Sequence, residues 1–476
     1  MSDYPMLISN KLHSFRNFIE QITDPLGFIN SSKSSRDIIE ELYPKQAEQI
    51  TSFCEIYGND NDRENTHISW AYPMVNDQAF ENSWLNKIEN PISKRNTDTI
   101  LTKEYLRELR SILDKKQPKL PVFPRKVSSK EIRKQAKLMV QLSLGSPAIC
   151  AYRALKRYFD TSNDVLSTAF QIGLAFIDLF NKPESIAIVE LQYPQKSLDY
   201  WQKVIQYCID GNIQAVLDEY VFMLLNEYDN PIELGESICN VLSMRTTNLK
   251  VDDAASFCKK ESEDNDVRHY LRSHYAAAFG VNAKSNQGSE VRATNIREAF
   301  NSPFRPFVLA TTSIGQEGLD FHWYCRKIIH WNLPNNPIDF EQREGRINRF
   351  RGKVIRQRVA DKYISSINGE EKPWDKLFEL ANKDKELAKF PCDIVPGWHF
   401  DSDGVSIERI VPLYQFSQDI TRYSEMMKIL GLYRLTFGQP RQEELAEALE
   451  SVLTPDETDK LIIDLCPLRR IKKNKS

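Results

Sequence analysis

The sequence predicts an α/β domain built on a parallel sheet and set between largely helical flanks. Three observations lead there. Two short β-rich runs, "RPFVLATT" at 305–312 and "RKIIHWNL" at 326–333, are each followed by loop residues and then a helical pattern, the alternation that a parallel sheet requires. Glycine is scarce, at 17 of 476 residues, yet Gly315, Gly318, Gly345 and Gly352 fall in or beside this region. Seven Arg and Lys crowd into residues 343–358, although the formal net charge of the whole chain is only −3.

Composition bounds the rest. With 41% apolar and 27% charged residues the chain reads as folded, and its length allows two to four domains. The near-neutral net charge excludes a global field for nucleic acid, so any such surface is a local patch. The eight cysteines contain no CxxC pair, which argues against a disulfide framework or a zinc ribbon. The first residues, "MSDYPMLISNKLHSF", lack the layout of a signal peptide. The longest apolar run, "AFQIGLAFIDLF" at 169–180, is too short to span a bilayer and carries Gln171 and Asp178. The expectation is a cytoplasmic protein with no membrane partner.

In chain order, residues 1–125 form a mixed, loop-rich region ending in "KKQPKLPVFPRK", whose prolines resemble a linker. Residues 126–265 are expected to be helical: "SSKEIRKQAKLMVQLSL" opens on a serine cap, and the helical pattern of 197–228 breaks at Gly211. Within this region "NVLSMRTTNLKV" (240–251) is a weak strand candidate, and 251–266 is an acidic connection. The α/β lobe occupies 266–365, and 366–476 returns to a helical, polar extension with a basic tail.

The most informative helix begins at "NPIDFEQREGRINR". Asn336 suits the N-cap, Pro337 the first helical position, and Asp339 the electropositive first turn. At 100° per residue, Phe340, Ile347 and Phe350 fall on one side, and Gln342, Gly345, Arg346 and Arg349 on the other. A glycine inside a helix costs roughly 1 kcal/mol against alanine. Close approach of a ligand to the backbone would offset that cost. Two guanidinium forks one turn apart suit a terminal phosphate. Just upstream, "ATTSIGQEGLDF" leaves a strand for a glycine-containing loop, the place where parallel sheets bind ligands. Thr311, Thr312 and Ser313 offer donors to phosphate oxygens, and Asp320 either accepts from a ribose hydroxyl or orients an arginine.

Together these residues resemble motifs V and VI of the C-terminal RecA-like lobe of superfamily-two helicases and translocases, in the flavour of the Swi/Snf and RapA-like branch. Thr312 with Glu317-Gly318-Leu319-Asp320 matches motif V, and Gln342-Arg343-x-Gly345-Arg346-x-x-Arg349 matches motif VI. The resemblance implies that Arg346 and Arg349 are arginine fingers acting on ATP. It implies that Gln342, Arg343, Gly345, Gly318 and Asp320 belong to the nucleotide site. Thr311, Thr312, Ser313, Arg351 and Lys353 would contact nucleic acid, with duplex DNA favoured by family likeness. A looser likeness to the C-terminal halves of long bacterial helicases, some among phage-defence genes, covers most of the chain and assigns no chemistry.

What the sequence does not contain matters equally. ATP hydrolysis in this class needs a phosphate loop, GxxxxGK[ST], and an acidic DExH-type motif to place Mg²⁺ and water. Neither occurs in these residues. The expectation is therefore a partner, a separate ATP-binding lobe or defence-system subunit, that holds ATP and Mg²⁺. An alternative of a different class is an adaptor or nucleic-acid-binding module without ATPase function, and a truncated fragment is a third.

Blander readings stand beside these. Arg356 and Arg358, like Arg351 and Lys353, divide evenly between phosphate contacts and solvent. His322 and His330 read as packed or capping rather than catalytic. Trp323, Tyr324 and Trp331 read as core in preference to stacking on a base. His269 and His274 fit no metal spacing, and no metal site of the chain's own is expected.

Overall fold

The computed structural model describes residues 35–59, 124–160, 163–244, 247–251, 269–273, 295–310, 320–334, 336–367, 372–384, 395–400, 404–414, 416–436, 438–454 and 457. These fall into two compact units.

The first unit is mainly helical. It contains α1 (Ser35–Tyr57), α2 (Ser129–Gly145), α3 (Pro147–Lys156), α4 (Asn163–Phe180), α5 (Pro183–Gln192), α6 (Tyr200–Asp210), α7 (Ile213–Leu224) and α8 (Pro231–Leu242). Helices α2 to α8 fall within 126–250, where the periodicity predicts helices, and α1 falls within 1–125, read as mixed and loop-rich. Local chemistry sets several of their ends. Ser128 caps α2 by accepting from the Glu131 N–H at 3.3 Å. The chain breaks between α6 and α7 around Gly211, where Asn212 takes a left-handed φ of 47° and its side chain accepts from the Ala215 N–H. Pro147, Pro183 and Pro231 each open a helix at the position where a missing N–H costs nothing.

Apolar faces bring α2 against α1 and α6, α3 against α4 and α7, and α8 against α4. One buried polar group links α7 to the end of α3. Asp218, 1% exposed, accepts from Arg157 Nε at 2.8 Å and Nη2 at 3.1 Å, and Gln214 donates to the same carboxylate. The weak strand candidate at 240–251 resolves into two parts. Its first residues complete α8, and only β1 (Thr247–Val251) is a strand, paired antiparallel with β2 (His269–Ser273). The acidic connection expected at 251–266 lies almost wholly outside the described residues.

The second unit holds β3 (Lys327–Ile329), α9 (Pro337–Gly345), α10 (Lys353–Tyr363), β4 (Glu408–Ile410), α12 (Asp419–Leu435) and α13 (Gln442–Val452); α11 (Pro373–Asn382) contributes to both units. β3 and β4 pair in parallel, Ile328 opposite Arg409. This small parallel sheet is what the α/β reading asks for, within a chain that is mostly helical. Two expectations need correction. The run at 305–312 forms no strand over its described residues 305–310, and Phe307 and Val308 are exposed. Pro306 removes a ladder donor there. The region after 366 is not wholly helical, because it supplies β4, the partner of β3. Among the described residues no helix is long and apolar enough to cross a membrane.

Removing Asp218 takes away the buried carboxylate that Arg157 grips through two of its nitrogens. Asp218→Ala is therefore expected to cost about 3 kcal/mol or more of stability in urea denaturation of the full chain. A loss below about 1 kcal/mol would show that Arg157 finds water or another acceptor.

Candidate functional site

The site is assembled where α9 ends. The sequence pattern carries this helix through Phe350, but it stops at Gly345. Beyond that end the Phe321 N–H donates to the Arg346 carbonyl at 3.1 Å, an acceptor that a continuing helix would offer to Phe350. The chain tightens instead, with Arg346 N–H donating to Arg343 and Ile347 N–H to Glu344. A second main-chain bond, Lys353 N–H to the His322 carbonyl at 3.0 Å, closes the other side of the turn. Residues 320–322 thus lie along the turn 346–353. Asn301 Nδ2 holds the Asp320 carbonyl at 2.7 Å, and Phe300 packs edge-on against Phe321.

This geometry brings Arg349 to Asp320, with Nη2 to Oδ1 at 3.0 Å and both side chains partly exposed. Of the two contacts read for Asp320, the structure contains the arginine one. Arg346 lies in the same turn, half-buried, and Gln342 and Gly345 are exposed beside it. Among the described residues a Cβ at Gly345 would meet nothing within 4 Å, and the residue does not take a left-handed backbone. Neither packing against the described residues nor conformation requires glycine there.

His322 belongs to this cluster, although sequence reasoning set it aside. Burial pushes its imidazole down to about 4; Asp320 opposes the shift, while Arg356 and Arg349 reinforce it. Its Nδ1 is buried and makes no hydrogen bond to any of the described residues. The Leu-Asp-Phe-His order gave no signal, because the partners come from residues 349–356.

The remaining basic residues part ways. Arg356 is fully buried, donating to the Arg351 carbonyl at 2.8 Å and to the Trp323 carbonyl. Arg358 donates to the carbonyls of Val405 and Phe400 at 2.7 and 3.0 Å. Both brace the fold. Arg351, at a left-handed φ of 50°, lies over the rings of Phe350 and Phe378, and Lys353 lies 5.7 Å from the Tyr324 centroid. Arg343 donates to the Asn332 carbonyl at 3.3 Å. Thr311, Thr312, Ser313 and Gly318 lie outside the described residues.

Two apolar assignments also change. Phe340 and Ile347 are buried as the pattern predicts, but Phe350 is 45% exposed and packs on Trp398, because the helix has ended before it. Trp331, read as core, is 68% exposed. His330 is packed, as read: it stacks on Phe340 at 3.8 Å and contacts Glu344 at 3.3 Å. Glu344 also accepts from Arg409 on β4, whose Nη2 stands 2.6 Å away. Burial alone would raise the Glu344 carboxyl, but the bonds from His330 and Arg409 outweigh it and hold it below the ordinary range. The last turn of α9 is thereby fixed to both strands.

Residues 236–351 match the helicase conserved C-terminal domain. The match ends at Arg351 and so encloses Asp320, β3, α9, Arg346 and Arg349. No curated protein and no solved structure matches the chain. The match agrees with the two motifs at the level of the helicase C-terminal domain.

The pH dependence of His322 follows from its surroundings. Below pH 6.5 the unfolded chain takes up a proton that the folded chain refuses until about pH 4, so stability falls as pH drops through that window and is unaffected above it. His322→Gln is expected to flatten the fall in urea midpoint between pH 6.5 and 4. Parallel curves for the variant and the wild type would mean that His322 is solvated in the native state.

Proposed function

We propose that these residues are the arginine-bearing C-terminal portion of an ATP-dependent DNA helicase or translocase, acting with an ATP-binding lobe supplied in trans. The observation that carries this reading is the turn after α9. There Arg349 is aimed by Asp320, Arg346 lies three residues away, and Gly345 opens onto space that none of the described residues fills.

The donors present fit a polyphosphate. Arg346 and Arg349 are permanent cations with forked N–H donors, suited to the oxygens of a γ-phosphate. Gln342 and Gly345 border the same space, Gly345 permitting close backbone approach. Bound ATP with Mg²⁺ supplies the phosphoryl group whose transfer to water drives the motor. Asp320 directs Arg349 and joins the segment that follows Thr311, Thr312 and Ser313 to the arginine turn. Contact of those hydroxyls with the backbone of duplex DNA would let the two sites sense one another. An arginine finger contributes about 10³–10⁵ in rate, but only once the phosphates, metal and water are held. The phosphate loop and acidic motif that hold them are not among residues 1–476. A role in phage defence remains part of this proposal, resting on likeness alone.

Mixed with duplex DNA and the GxxxxGK[ST]-bearing product of a neighbouring reading frame, the chain is expected to give DNA-stimulated ATPase. Arg349→Ala should lower that rate by about a thousandfold. Brisk hydrolysis by the chain alone, or no stimulation by any such neighbour, would overturn the reading. Gly345→Ala supplies a second test. It should leave the urea midpoint of the chain unchanged or slightly raised while lowering the reconstituted rate, since its methyl meets the ligand and not the fold. Equal activity with equal stability would remove the glycine from the argument.

A further inference from the structure

An aromatic pair stands at the carboxyl end of the parallel strands. The ladder of β3 and β4 continues to His330, whose N–H donates to the Ile410 carbonyl at 2.9 Å. Side chains alternate beyond it: His330 turns inward onto Phe340, while Ile329 and Trp331 face solvent. Because the strands run the same way, the residues that follow them emerge at one edge. Trp331, 68% exposed, meets Tyr414, 46% exposed, at 6.2 Å and 74°. The carboxyl edge of a parallel sheet is where such folds bind ligands.

Two guanidinium groups reach the same loop. Arg343 donates to the Asn332 carbonyl at 3.3 Å and Arg422, from α12, to the Pro334 carbonyl at 3.4 Å. An exposed indole with a second ring at its edge and arginines alongside is the composition of a single-strand site. There bases stack on aromatic faces while cations take the phosphates. A packing role leaves the exposure of an indole between two arginine-bearing segments unexplained, and a duplex offers no free base face except at its end.

We infer that Trp331 and Tyr414 form a stacking platform for an unpaired base of single-stranded nucleic acid, with Arg343 and Arg422 toward its phosphates. The inference rests on the helicase reading and sharpens it, since a platform for unpaired bases belongs to an enzyme that opens strands rather than one that only tracks along duplex.

Fluorescence anisotropy of the purified full chain tests it, using three labelled probes: oligothymidylate, an abasic strand of the same length, and a blunt duplex. Wild type should bind oligothymidylate more tightly than the abasic strand. Trp331→Ala should weaken oligothymidylate binding about tenfold or more and leave abasic binding unchanged. Trp331→Phe should restore most of the affinity, and Tyr414→Ala should show a smaller loss of the same kind. Equal losses on both strands, no loss, or preference for the duplex alone would each overturn the platform. So would a self-association, seen by sedimentation, that Trp331→Ala abolishes without affecting strand binding. Failure of any wild-type strand binding also overturns it. The reconstituted ATPase on duplex DNA, which needs no stacked base, decides the helicase reading separately.

Discussion

Two main-chain hydrogen bonds organise the second unit: Phe321 N–H to the Arg346 carbonyl and Lys353 N–H to the His322 carbonyl. They lay residues 320–322 along the turn after α9. Past the end of the helix Phe350 no longer shares a face with Phe340, and the placement brings Asp320 within reach of Arg349. A half-exposed pair of this kind contributes little to stability, because water and ions compete with it. What it can do is limit the directions in which Arg349 points. The expensive part of the arrangement, excluding water from main-chain groups, is borne by the backbone.

Burial sorts the seven basic residues of 343–358 into different tasks. Arg356 is consumed as scaffold: its buried planar fork satisfies the Arg351 and Trp323 carbonyls. Arg358 ties α10 to the carbonyls of Phe400 and Val405 in the same manner. The region after 366 completes the support. Arg409 and His330 converge on Glu344, and Arg434 from α12 donates to Glu341 at 2.8 Å. Two successive glutamate anchors on α9, each held from the C-terminal side of the chain, make the helix a fixed mount for the turn that follows it.

The parts that could be read from the amino-acid order are those decided within a few residues. The Ser128 cap, the break at Gly211 and the start of α9 at Pro337 all depend on near neighbours, and all are present. The turn after α9 is held by a bond from Phe321, some twenty-five residues upstream, and periodicity cannot register a contact of that reach. The same holds for Arg356: only the fold decides whether a basic residue meets carbonyls or water. Trp331 shows a third kind of limit. Its run of apolar neighbours argues for a core, but alternation along a strand at one edge of a two-stranded sheet turns every second side chain outward. For the motif V residues 311–319 the fold offers no comparison, since they lie outside the described residues. Asp320 alone carries that motif into the observed site.

On the proposed reading, α9 is more than a mount. Its nine residues span about 13 Å as a helix. One end follows the Trp331–Pro334 loop and the other leads into Arg346 and Arg349. Phe340, between them, is buried against His330, Arg409 and Tyr423, so the helix has little freedom to bend or slide alone. A strand seated on Trp331 would press on one end of a rigid rod whose other end carries the fingers. The 320–322 segment stapled to that turn would feel contacts made by residues 311–313. Strand occupancy and arginine position are then coupled through packed, hydrogen-bonded elements instead of a mobile linker. An element of this kind transmits a displacement only if its supports hold. Glu344 is where the supports from both strands meet, and its charge sustains the bonds from His330 and Arg409. The coupling should therefore weaken as Glu344 is protonated, at a pH below the ordinary carboxylate range.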